Sequence, residues 1–130
     1  MKVNSYRDLL AWQQAMQLTE SVYKTTATFP NKETYALANQ LQRAAVSIPS
    51  NIAEGHARSS TKDYLRFISI AMGSLAELET QLELSARLEY IDQPKLGELL
   101  AIADELGRML QGFRKSLQSK LDSPSLAPNS

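Results

Sequence analysis

Apolar residues recur along this chain at spacings of three and four, with little alternation at spacing two. That period is helical. In the first segment, roughly 6–27, Trp12, Met16, Thr19, Tyr23 and Thr26 repeat, and Ala15, Leu18 and Val22 widen the face. Phe29-Pro30 ends it, because a residue before proline leaves the α region. Asn31 is placed to cap a second helix, about 32–57, carrying Leu37, Leu41, Ala44, Ile48 and Ile52. The period passes through Pro49, so the spacing predicts a kinked helix there instead of a loop. Ser60 and Asp63 resemble a capping box for a third helix, about 61–89, with Leu65, Ile68, Met72, Leu75, Leu82 and Ala86 in its stripe and Phe67, Ala71 and Leu78 beside it. Asp92 caps the fourth, about 93–120, with Pro94 in its first turn. Its stripe is Leu96, Leu99, Ala103, Leu106, Leu110, Phe113 and Leu117. Four helices with short links predict one all-α domain over residues 1–121, an antiparallel up-down-up-down four-helix bundle. Residues 122–130 lack periodicity and read as a disordered tail.

A second pattern lies beside the apolar stripe of the second helix. Gln40, Arg43, Ser47, Asn51, Glu54 and Arg58 share one side of a helical wheel. With the third helix antiparallel, facing residue numbers sum to about 120. Arg43 then meets Glu77, Ser47 meets Gly73, Asn51 meets Ser69, and Glu54 meets Arg66. The expectation is a polar seam for inter-helix or subunit pairing, with Gly73 permitting close approach. A plain exposed polar stripe is the competing reading.

Composition narrows the chemistry. The 130 residues carry 14 basic and 14 acidic side chains and no cysteine. Disulfides, thiolate metal sites and a cysteine nucleophile are excluded. No phosphate-cradling glycine loop occurs. The single histidine, His56, follows Glu54 at a spacing that points the two apart, a poor basis for a metal site or a Ser–His pair. The expectation is no enzyme, no cofactor and no metal. No apolar run is long enough for a membrane helix and the start lacks a signal-peptide core, so the chain reads as soluble and cytoplasmic.

Net charge is zero but unevenly distributed. Residues 67–107 are acidic, while Arg58, Lys62 and Arg66 mark the link after the second helix, and Arg114, Lys115 and Lys120 lie near the C-terminus. In an up-down bundle these two basic groups share one end. They are candidates for nucleic-acid binding; ordinary solvated helix faces are the alternative.

The stretches LLAWQQA, Phe29-Pro30, the spaced Tyr35, Leu37 and Gln40, RAAVSIPSNIAEGHAR and FISIAMGSLAELETQL resemble one bacterial family. These are the four-helix bundle proteins encoded in intervening sequences of 23S ribosomal RNA genes, sometimes mislabelled as S23 ribosomal proteins. The likeness spans about Tyr6 to Phe113. It implies an antiparallel bundle and a homo-oligomer, since related members form ring-like pentamers. One related branch is an accessory to retroelement reverse transcriptases, held to bind nucleic acid through a basic surface; this chain's zero net charge departs from that branch. The expected function is therefore a homo-oligomeric bundle binding RNA or another nucleic acid at its basic end. The alternative is a protein-interaction scaffold docking through its acidic region.

Overall fold

The computed structural model describes residues 5–123. Of the expected tail, residues 122–130, residues 124–130 lie outside the described residues, and Asp122 belongs to the last helix with Ser123 as its C-cap. The four helices are α1 (Leu10–Thr26), α2 (Leu37–Ala57), α3 (Thr61–Arg87) and α4 (Gln93–Asp122). There is no strand among the described residues. Each helix packs on its two neighbours around a square, α1 on α2, α2 on α3, α3 on α4 and α4 on α1, with α2–α3 the most extensive boundary. Leu18, Leu41, Ile48, Ile52, Ile68, Leu78, Leu82, Leu99, Leu106 and Leu110 are fully buried at the centre.

The starts of α1 and α2 differ from the periodic reading. Tyr6–Asp8 is a separate 3-10 turn, capped by Ser5 through the Arg7 N–H, and Leu9 is extended. Tyr6 folds back to meet the Trp12 ring edge-on at 5.3 Å. The buried face of α1 is Ala11, Ala15, Leu18, Val22, Thr25 and Thr26. Met16 and Tyr23 instead lie at the rim, 38% and 46% exposed. That face meets both α2 and α4, with Leu18 and Val22 fully buried between them.

Asn31–Glu33 is likewise a 3-10 turn and does not cap α2 directly. The backbone breaks at Ala36, and the Glu33 carboxylate accepts from the Leu37 N–H at 3.2 Å and from the Tyr90 hydroxyl at 2.7 Å. These bonds pull Glu33 below the ordinary carboxylate range, the Tyr90 bond foremost, and Glu33 in turn raises Tyr90. Phe29 closes the same end against the Tyr90 ring at 5.2 Å.

α2 continues through Pro49 without a break in helix. Proline supplies no N–H, so the Ala45 carbonyl loses its helical donor. Thr19 of α1 fills the place: its hydroxyl is shared between the Ala15 carbonyl at 2.8 Å and the Ala45 carbonyl at 3.1 Å. α3 begins with the expected cap, the Asp63 N–H donating to Ser60 Oγ at 3.0 Å. It ends two residues before the periodic estimate. Glu89 adopts a left-handed φ of 65°, and the Tyr90 and Glu89 N–H groups close back onto the Ser85 and Ala86 carbonyls. That is a Schellman stop with glutamate where glycine is favoured. Asp92 Oδ1 then caps α4 from the Lys95 N–H at 2.9 Å.

Candidate functional site

The α2–α3 boundary carries the polar seam in altered register. Ser47 Oγ meets Ser74 Oγ at 2.8 Å, not Gly73. Asn51 turns back along its own helix, donating to the Ser47 carbonyl at 2.7 Å and to Ser47 Oγ at 3.0 Å, so it does not pair with Ser69. Gln81, buried in α3, donates at 3.4 Å to both Gln40 and Glu77, and its side-chain Oε1 is buried without a partner. Facing numbers sum to 121 at the Ser47–Ser74 contact, one more than expected. A one-residue shift turns a helical position by about 100°, enough to break the anticipated ion pairs. Glu54 bonds Arg58 on its own helix at 2.7 Å instead of Arg66. Among the described residues Arg43 and Glu77 form no ion pair; both are exposed.

Gly73 is also not a point of close approach. A Cβ there meets nothing within 4 Å. The close approach is at Gly55, where a Cβ would stand 2.9 Å from Phe67 Cβ and 2.9 Å from the Tyr64 ring. Gly55 thus seats two aromatics of α3 against the last turn of α2. A glycine inside a helix that keeps its apolar period was the available signal for this contact.

Those aromatics underlie the basic end. Arg58, the C-cap of α2, and Arg66 of α3 both stack on the Phe67 ring, at 4.8 and 4.6 Å from its centroid. Two guanidiniums are thus held against one buried ring, and Arg58 also gives one of its N–H groups to Glu54. Tyr64 packs edge-on against Phe113 at 5.1 Å and against His56 at 6.0 Å. Its hydroxyl is buried without a partner, and burial pushes it up to about 12. The aromatic cluster ties the end of α2, the start of α3 and the last third of α4 together.

The Tyr64–Phe113 contact brings the two predicted basic groups to one end. Arg58, Lys62 and Arg66 lie on the α2–α3 side and Arg114, Lys115 and Lys120 on the α4 side, and all six are exposed. Arg7 joins them. The Tyr6–Asp8 turn packs against α2, and the Arg7 guanidinium stacks on Tyr6 at 4.8 Å. Sequence reading did not group Arg7 with them, although in an up-down bundle the start of the first helix lies at the same end as the α2–α3 link. The carboxylates nearby are Asp8, Glu54, Asp63 and Asp122, so cations predominate here within a neutral chain. The other end carries Glu33, Glu83, Glu89, Asp92 and Glu98 beside Lys24, Lys32, Arg87 and Lys95, the last paired with Glu98 at 2.9 Å.

Between the start of α3 and the end of α4 runs an open groove of about 860 Å³. Leu65 and Ser69 form one wall; Gln111, Gly112, Arg114, Lys115, Gln118, Ser119 and Asp122 form the other. Arg114 is oriented by a 2.8 Å bond to Gln111 Oε1. Farther along the same helix pair, Glu79 is held above the ordinary carboxylate range by burial and then by Asp104. Among the described residues no three His, Asp or Glu side chains gather to hold a metal, and no helix is long and apolar enough to cross a membrane.

Among solved structures, the fold is similar to the crystal structure of a protein of unknown function from the S23 ribosomal protein family of Bacteroides thetaiotaomicron VPI-5482. That match has a TM-score of 0.74 at 23% identity, covering 82% of this chain and 99% of the other. No curated protein matches. The sequence pattern of the 23S rRNA-intervening sequence proteins matches residues 7–112, most of the folded chain and every element that builds the basic end except the last turns of α4. This chain belongs to the 23S rRNA-intervening sequence protein family.

Proposed function

We propose that this protein is a cytoplasmic, non-catalytic homo-oligomer that binds RNA through the basic end of its bundle. The observation that carries this reading is the gathering of Arg7, Arg58, Lys62, Arg66, Arg114, Lys115 and Lys120 at one end of a neutral chain, with two guanidiniums stacked on Phe67. Each cation that neutralises a phosphate releases a condensed counterion, so binding is driven at low salt and weakened at high salt. A ring of subunits with their basic ends on one face multiplies the effect, because later contacts form at high effective concentration. The outer face of α2–α3 suits the subunit contact: Arg43, Ile70, Gly73 and Glu77 lie exposed there, and Gly73 leaves open space.

The test is an RNA titration on protein freed of co-purified nucleic acid, at low and moderate salt, with the solution mass determined in parallel. Binding that weakens steeply with salt, by an assembly larger than one chain, is expected. Absence of binding at low salt overturns the reading. A protein-interaction scaffold is the second reading, favoured by Leu84 and Leu88, 44% and 47% exposed beside Glu83 and Glu89 at the opposite end of the bundle.

A further inference from the structure

The groove between the start of α3 and the end of α4 differs from the rest of the basic end. Arg58 and Lys62 stand on the rounded tip of the bundle, where they can meet any polyanion. The groove instead combines three kinds of wall. Arg114 and Lys115 supply positive charge, Gln111 and Gln118 supply amide donors and acceptors, and Leu65 supplies an apolar surface. Its volume of about 860 Å³ lies within the ~300–1,000 Å³ typical of sites for small organic ligands.

From these features we infer that the groove binds an unpaired nucleotide of the nucleic-acid strand engaged by the basic end, an assignment that rests on the RNA-binding reading. A nucleotide presents a charged phosphate, hydrogen-bonding base edges and apolar ring faces, matching each wall in turn. Arg114 is pre-oriented by Gln111, so less side-chain freedom is lost when its fork meets phosphate oxygens. Asp122 lines the far part of the groove, roughly 10 Å along α4 from Lys115 at 1.5 Å per residue. It repels phosphate, so the phosphate lies at Arg114 and Lys115 and the sugar and base extend toward Asp122. Packed helices stand about 8–10 Å apart, so the furrow between them admits one strand and not a duplex. Sequence-tolerant capture of single strands by a positive groove is a recurrent mode of recognition.

Gly112 gives a test that leaves the charges untouched. A Cβ at Gly112 meets nothing within 4 Å, so the bundle accepts a side chain there, and that side chain enters the groove. The experiment is fluorescence anisotropy on the full chain with a labelled single-stranded oligoribonucleotide and with the same sequence fully paired. The native protein is expected to prefer the single strand. Gly112→Leu should weaken single-strand binding about tenfold by filling the space that the nucleotide takes. Gly97→Leu, also in open space on α4 but near the other end, should bind as the native protein does. If Gly112→Leu melts early, Arg114→Gln decides by the same criterion. Native affinity in the decisive variant, alongside loss of binding in Arg58→Glu/Lys62→Glu, overturns the groove and leaves the basic-end reading standing. Equal affinity for the duplex also overturns the groove. Failure of the native protein to bind either probe overturns both.

Discussion

The Thr19 hydroxyl lies 3.1 Å from the Ala45 carbonyl, the acceptor that Pro49 leaves without a helical donor. One helix thereby repairs its neighbour. Proline inside a helix ordinarily costs about 3 kcal/mol, partly through such an unpaired carbonyl. Here Pro49 is buried and Thr19 satisfies the freed group at the α1–α2 boundary. Thr19→Val keeps the shape and removes the bond, and should cost about 1 kcal/mol in denaturant unfolding. In a Pro49→Ala background the backbone N–H returns, and the Thr19→Val penalty should shrink by at least half. Equal penalties in both backgrounds would dissolve the pairing; a double-mutant cycle reads the difference directly.

The glycines separate fold from assembly. Gly55→Ala places a Cβ 2.9 Å from Phe67 Cβ, a branch point that cannot swing aside. The overpacking should cost about 1–3 kcal/mol, exceeding the helix-propensity gain. Gly73→Ala meets open space and should stabilise the bundle by about 0.5–1 kcal/mol. Gly73→Leu should then leave folding of the protomer intact while lowering the solution mass, read by light scattering, if α2–α3 is the subunit contact. An unchanged mass would move that contact elsewhere.

Glu89 stops α3 in a left-handed conformation that glycine adopts at no steric cost. Glu89→Gly should raise stability by about 0.5–1 kcal/mol, with no change in helical content by circular dichroism. Destabilisation would mean that the Glu89 side chain contributes an interaction outweighing its backbone strain.

Glu79 predicts a pH dependence of definite sign. Its folded pKa is raised, by burial first and Asp104 second. The folded chain therefore holds this proton at pH values where the unfolded chain has released it. Its charged form costs stability near neutrality, and that cost is relieved as pH falls through the folded value toward the ordinary 4.5. Glu79→Gln should raise the melting temperature at pH 7 and flatten this part of the profile. Glu33 acts oppositely: its lowered pKa contributes stability above the ordinary value that is lost as pH falls through the folded one. A Glu79→Gln variant with unaltered melting at pH 7 would show that Glu79 and Asp104 are well solvated.

Much of the fold is legible in the apolar period, because burial in a bundle repeats with the helix. The α4 stripe from Leu96 to Leu117 is buried nearly as spaced, and α2 keeps its face through Pro49. The caps at Ser60 and Asp92 are local and could be read locally. What failed depended on partners distant in sequence. Met16 and Tyr23 fit the period of α1 but lie at its rim, while the inner face centres on Ala15, Leu18 and Val22, which the periodic reading sets beside the stripe, and on Ala11, which it does not name. The seam pairs slipped by one residue in register, and the close contact of Gly55 with Tyr64 and Phe67 at that boundary is one no wheel displays. The basic residues themselves were legible from the sequence, but not the Phe67 ring against which Arg58 and Arg66 stack, nor the separate turn that carries Arg7.

The most direct test of the central claim is the salt dependence of RNA affinity, measured for the native protein and for Arg58→Glu/Lys62→Glu. The slope of log affinity against log salt counts the phosphates engaged, at about −0.7 per phosphate on a single strand. The account predicts a steep slope for the native protein and a shallower one, with weaker binding at every salt concentration, for the double reversal. Identical slopes and affinities for the two proteins would contradict it.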